Sequence, residues 1–191
     1  LYNENYLMPD MARVIEQGGT KQDMLVQGVL DGGYCFDAAS SKADIHLLGS
    51  GSMLQQAILA KAELQLLGYS VDIWSITSFV ELQRDALAVA AANRQNPEAP
   101  ARTSKLSQMF DDATGAVIAV TDYMTSLAQG IAAWMPEGYE VLGTDGFGLS
   151  ESRPALRAHF EVDAAAIVKA ALANLYRQGL IDQEKLHASR R

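Results

Sequence analysis

Few stretches of this chain carry residue types at spacings that suit chemistry. One is Gly49-Ser50-Gly51-Ser52, where the apolar run Ile45-His46-Leu47-Leu48 gives way to a helical pattern. Backbone N–H groups in such a turn, with the positive end of the following helix, can hold an anion. The turn lacks the third glycine of a dinucleotide fingerprint and the Gly-Lys-Ser/Thr of a phosphate loop. A tight strand-to-helix turn with Ser50 or Ser52 as N-cap is the simpler reading; an anion-binding turn at Gly49, Ser50, Gly51 and Ser52 is the alternative. Asp122 and Asp145 each follow a threonine at the end of an apolar run. Such positions reach the carboxyl edge of an open α/β sheet, where ligands bind, and they also cap helices.

The remaining candidates offer less. His46, His159 and His187 share no metal-ligand spacing, and no His-Glu-x-x-His motif is present. His46 sits inside an apolar run and is expected to be a hydrogen-bonded structural residue. His159 suits an interface, exposure or a cap, and His187 a solvated tail. Asp111-Asp112 reads as a solvated turn. Cys35 is the only cysteine, so no internal disulfide forms, and without a thiolate-stabilising neighbour it is expected to be buried. Gly146-Phe147-Gly148 suggests a backbone constraint with Phe147 packed as an anchor. There is no Gly-x-Ser-x-Gly elbow. No catalytic, cofactor-binding or metal-binding residue emerges from the side chains alone, which describe a binding or assembly domain.

The elements that would position these residues alternate. Strands are expected at Tyr34–Phe36, Ile45–Leu48, Val71–Ile76, Gly115–Thr121 and Tyr139–Thr144. Helices are expected at Lys21–Leu30, from Leu54 to Gly68, at Glu81–Ala92, Met124–Trp134 and Val162–Gln178, with a helical turn at Leu106–Phe110 and a surface loop from Asn93 to Thr103. In the helix after Leu54, the inner face is expected to be Leu54, Ile58, Ala62 and Leu66. This alternation gives an α/β fold, three-layer α/β/α with a mostly parallel sheet. Residues 1–42 form a junction and lead-in segment, and residues 43–191 the α/β domain.

At 191 residues the chain can bury about 70% of its unfolded surface. Its net charge of −8, with scattered Lys and Arg, argues against nucleic-acid binding. No apolar stretch is long enough to cross a bilayer, no signal peptide is expected, and a cytoplasmic location fits. The chain opens on Leu1 and reads as a piece of something longer.

The wording Val141-Leu142-Gly143-Thr144-Asp145-Gly146-Phe147-Gly148, running through Ser150, Ser152, Arg153, Leu156, Arg157, His159 and Phe160 to Val162-Asp163, is the most specific in the chain. With Asn3-Glu4-Asn5-Tyr6, Leu47 to Ser52, Ser75 to Phe79, Glu81-Leu82, Arg84-Asp85 and Thr121 to Met124, it resembles the carboxyl-terminal domain of thiamin-diphosphate enzymes of the transketolase superfamily. The nearest likeness is to homodimeric decarboxylating components of pyruvate dehydrogenase complexes. The resemblance implies a parent enzyme that decarboxylates a 2-oxo acid, usually pyruvate, on thiamin diphosphate with Mg²⁺. That enzyme passes the acyl group to lipoyl groups of a partner acyltransferase. The resemblance places the cofactor between two other domains, so no residue here is carried over as its ligand. It implies a structural, dimer-supporting role for this domain, with Tyr123, Phe147, Arg153 and His159 as candidate interface residues. An equivalent domain of an enzyme acting on another 2-oxo acid or a ketose, or a stand-alone anion- or nucleotide-binding module, is the alternative.

Overall fold

Two apolar runs set the architecture. Ile45–Gly49 and Ala116–Val120 are buried at every position, as strands covered on both faces must be. The computed structural model describes residues 9, 10, 12, 14, 15 and 22–188. The strands are β1 (Gly33–Asp37), β2 (Ile45–Ser50), β3 (Val71–Ile76), β4 (Ala116–Val120) and β5 (Tyr139–Leu142). They form one sheet in the order β1-β3-β2-β4-β5. The pairs β3–β2, β2–β4 and β4–β5 are parallel, and β1 alone is antiparallel, against β3. The helices are α1 (Gln22–Asp31), α2 (Leu54–Leu66), α3 (Phe79–Gln95), α4 (Lys105–Phe110), α5 (Thr125–Gln129), α6 (Arg153–His159), α7 (Ala164–Arg177) and α8 (Gln183–Ala188). The expected three-layer α/β/α arrangement holds. The wording at Asn3 to Met8 lies outside the described residues.

Side chains alternate across the sheet with the two-residue strand period. Ile45, Leu47, Ile118 and Val120 pack on one face against Ala57, Ala60 and Leu64 of α2 and Ile167 and Ala171 of α7. Leu48, Val117 and Ala119 pack on the other against Phe79 and Leu82 of α3, Phe110 of α4 and Ala128 of α5. The inner face expected for α2 is a correction: Ile58 is exposed and Leu66 is 89% exposed. A strict four-residue spacing drifts by about 40° per step on a helix of 3.6 residues per turn, so Leu54 and Leu66 do not share a face. The small side chains of Ala57 and Ala60 let α2 lie close to the sheet and to α7 instead.

Other boundaries moved for local reasons. α3 begins at Phe79 because Ser78 caps it, its hydroxyl accepting from the Glu81 amide at 3.1 Å. The helix expected over Met124–Trp134 is split into α5 and a 3₁₀ turn at Ala132–Trp134. Carbonyls at the break are taken by side chains: the Tyr139 hydroxyl donates to Ala128 O at 2.8 Å, and Gln83 Nε2 to Gly130 O at 2.9 Å.

Polar pairs pin the antiparallel edge to the parallel body. Lys61, 6% exposed, places Nζ 2.8 Å from Asp37 Oδ2 and donates to Asp37 O at 3.2 Å, tying α2 to the end of β1. Asp72 on β3 accepts from the Ala39 amide at 2.7 Å and lies 3.1 Å from Nδ1 of the buried His46, its partner in register on β2. His46 is thus a buried structural residue paired with Asp72, though neither ring nitrogen makes the aligned hydrogen bond its setting suggested. Burial raises the Asp72 carboxyl, but the imidazole and the Ala39 amide outweigh it and hold the group below the usual carboxylate range.

Two outcomes follow. Gly115 has φ +85°, and a Cβ there would stand 2.0 Å from Asp44 O. Gly115→Ala should therefore lower stability by about 2–4 kcal/mol. Gly179→Ala, at φ +71° in open space, is the control and should cost less in the same denaturant titration. Because the folded carboxyl of Asp72 titrates below its unfolded value, its contribution is present above about pH 4 and is lost as pH falls through the folded value. Asp72→Ala should lower stability near neutrality by about 1–3 kcal/mol and flatten this acid limb, as read by melting temperature against pH.

Candidate functional site

The connections of the sheet diverge at one place. From β2 the chain crosses to β3 on one side; from β3 it returns past β2 to β4 on the other. The carboxyl ends of β2 and β4 therefore flank a switch point, where open α/β sheets hold ligands. Gly49 makes the approach possible, since a Cβ there would lie 2.6 Å from Leu54 Cα at the start of α2. Gly51 turns the chain with φ +55°, and Ser52 and Met53 follow, buried, in a 3₁₀ turn. Neither Ser50 nor Ser52 acts as the expected N-cap: Ser50 makes no side-chain capping bond, and the cap position of α2 is Met53. The Ser52 hydroxyl instead faces the end of β4, 3.5 Å from Asp122 Oδ2.

The segments leaving β4 and β5 are stitched to each other. Thr144 donates through its hydroxyl to Asp122 O at 2.8 Å and through its amide to Tyr123 O at 2.9 Å. Gly143 allows the contact, because a Cβ there would meet Tyr123 O at 2.7 Å. Asp145 accepts from the Thr125 amide at 2.9 Å and the Thr125 hydroxyl at 2.7 Å, capping α5 from the neighbouring loop. Those bonds, the hydroxyl first, hold its carboxyl below the usual carboxylate range. Asp145 is thus a cap, though for the helix before it in the chain.

Beyond Asp145 the chain runs over the surface. Phe147, expected to be a packed anchor, is 94% exposed, and Tyr123, Met124 and Leu149 are exposed with it. Helix α6 then passes back across the edge, and Asp163 caps α7 by accepting from the Ala166 amide at 2.9 Å. Beneath α6 lies a cavity of about 500 Å³, lined among others by Ser52, Asp122, Thr144, Phe147, Arg157 and Phe160. Arg153 stands at its rim. Arg157 is partly buried; its Nη2 is shut off from solvent and has no hydrogen-bond partner.

The structure therefore brings Ser52, Phe147 and Arg153 to one cavity and Tyr123 to the same edge of the sheet. Gly49, Ser50 and Gly51 shape the turn without lining the cavity. His159 is exposed on α6, its ring edge-on to Phe160 at 5.0 Å. Sequence reasoning did not single out Arg157 or Phe160 as lining residues. Their spacing with Arg153 and Leu156, three and four residues apart, is the signal that would have found them, since it marks one helix face.

Cys35 is half-buried, and burial, with the Asp72 charge second, pushes its thiol up to about 12, which leaves no thiolate near neutrality. Among the described residues no group of three or more His, Cys, Asp or Glu is placed to hold a metal ion. Among them, too, no helix is long and apolar enough to cross a membrane.

Comparison with known proteins agrees with this geometry. A family profile described as the transketolase-like TK C-terminal domain matches residues 32–163. The pyruvate dehydrogenase E1 component of Escherichia coli K12 is 40% identical over 185 residues, covering 95% of this chain and 20% of that protein. The E1 component of Mycolicibacterium smegmatis is 37% identical over 186 residues, covering 95% of this chain and 19% of that protein. The chain thus spans about a fifth of the length of these curated relatives. Among solved structures, a Pichia stipitis transketolase described with xylulose 5-phosphate superposes with a TM-score of 0.59 at 16% identity, over 87% of this chain and 20% of that one. The Leishmania mexicana transketolase gives 0.58 at 18% identity, over 80% and 19%. At such identities the likeness is one of fold. This chain belongs to the family of transketolase-like carboxyl-terminal domains.

Proposed function

We propose that this chain is the carboxyl-terminal, dimer-supporting domain of a thiamin-diphosphate-dependent pyruvate dehydrogenase decarboxylating component. The observation that carries the reading is similarity along nearly the whole chain to E1 components about five times its length. In this reading the larger enzyme decarboxylates pyruvate on thiamin diphosphate with Mg²⁺ and acylates the lipoyl groups of its partner acyltransferase in the cytoplasm. The chemistry belongs to the rest of the polypeptide. Mg²⁺ wants several oxygen ligands, and the cavity at the carboxyl edge offers one carboxylate, Asp122, amid apolar walls. The residues here do not fit that cofactor and its metal, and none is assigned to them.

What this chain contributes is a shaped edge. Tyr123, Met124, Phe147 and Leu149 leave apolar surface in water, and Arg153 and His159 add polar groups around it. Burying an aromatic side chain such as Phe147 against a second copy or the remainder of the chain contributes about 1.5–3 kcal/mol. Arginine and aromatic residues are the types that dominate such contacts.

Phe147→Ala, Arg153→Ala and His159→Ala, each made in the whole polypeptide that contains these residues, test the assignment. Phe147→Ala and Arg153→Ala should each weaken dimerisation by about 1–3 kcal/mol in sedimentation equilibrium, with turnover falling as dimer is lost. A smaller effect is expected for His159→Ala. Unchanged association and turnover in all three would overturn the role.

A further inference from the structure

We infer that the cavity under α6 is a binding site for a small organic monoanion, its carboxylate head on Arg157 and its carbon skeleton against Phe147 and Phe160. The inference goes beyond the docking role and does not need it. Three independent observations converge. The cavity lies at the switch point between β2 and β4, the place in an open α/β sheet where connections part and leave room for a ligand. Its volume, about 500 Å³, is that of a small-molecule pocket. And Arg157 lines it, with one guanidinium nitrogen, Nη2, withdrawn from water without a hydrogen-bond partner at its back. A charged donor in that state is costly, and an anion is the chemistry that relieves it.

Charge and shape narrow the class. The lining side chains carry two arginines, Arg153 and Arg157, against one carboxylate, Asp122, so one positive charge is in excess. A dianion or a metal complex is therefore disfavoured, and a monoanion suits. Met53, Leu156 and Val162 make the rest of the wall apolar, which asks for a ligand with a hydrocarbon body rather than bare phosphate. Arg157 provides a planar fork for the oxyanion, while the Ser52 and Thr144 hydroxyls already serve Asp122. Arg157 can be held ready because α6 is fixed at both ends. Pro154 stands in its first turn, and the turn closing it bonds the Val162 amide to Arg157 O at 2.9 Å.

The test uses the whole polypeptide labelled with ¹³C at methionine methyls, with the Met53 resonance, assigned by Met53→Leu, as the probe. Hexanoate, hexanol, hexylammonium and inorganic phosphate are titrated at constant ionic strength. Hexanoate should shift the Met53 signal saturably, at least tenfold more tightly than hexanol or phosphate, and hexylammonium should not bind. Arg157→Met should lose at least tenfold in hexanoate affinity while its melting temperature without ligand stays equal or rises, since an uncompensated buried charge has been removed. Arg157→Gln serves if that variant folds poorly. No hexanoate response in the parent polypeptide would overturn the inference and leave the guanidinium to a carboxylate of the polypeptide itself; equal affinity in the Arg157 variants would overturn it too. Dimer mass is read separately by sedimentation, so failure here and failure of the docking role are told apart.

Discussion

Everything distinctive in this chain follows from two adjacent parallel strands, β2 and β4, that have no face left to water. Strands buried on both sides can carry only apolar and small side chains, and their connections must run outside the sheet. Polar residues are thereby driven to the strand ends. His46 is the exception within the buried span of these two strands, and it is tolerated because Asp72 on β3 stands beside it in register. At the carboxyl end the same constraint collects Ser52, Asp122, Thr144 and the returning helix α6 around one cavity, although they are far apart in sequence.

Close approach is the second condition. Gly49 lets α2 start against the end of β2, Gly143 lets the β5 exit meet Tyr123, and Gly115 starts β4 against Asp44. None of these glycines does chemistry. They set backbone distances, and the threonines and aspartates that follow β4 and β5 then bond to one another. The edge is built as a shape, with Tyr123, Met124, Phe147 and Leu149 left exposed on it. Behind that edge stands the Arg157 guanidinium, with Nη2 withdrawn from water.

Much of this was legible in the residues. The continuous run from Ala116 to Val120 announces a doubly covered strand, and the motif from Val141 to Asp163 identifies the family that the profile match then shows. The threonine–aspartate pairs could be placed at strand ends from sequence, but not their partners, because the bonds of Asp145 to Thr125 and of Thr144 to Asp122 O join segments about twenty residues apart. The inner face of α2 was misread because its burial rests on alanines and on Lys61, whose ammonium is hidden by an ion pair that no local pattern records. The exposure of Phe147 was misread for the opposite reason: an aromatic between glycines looks like an anchor, but Phe147 stands almost wholly exposed.

Hydroxyl-radical footprinting of the whole polypeptide, read at Tyr123, Met124 and Phe147 by mass spectrometry, tests most directly whether this edge is a docking surface. All three are exposed in this chain and all oxidise readily when in contact with water. We expect them to be protected in the assembled protein and to become labelled when it is diluted to monomer. Strong labelling of Phe147 in the assembled protein, unchanged on dilution, would contradict the dimer-supporting role.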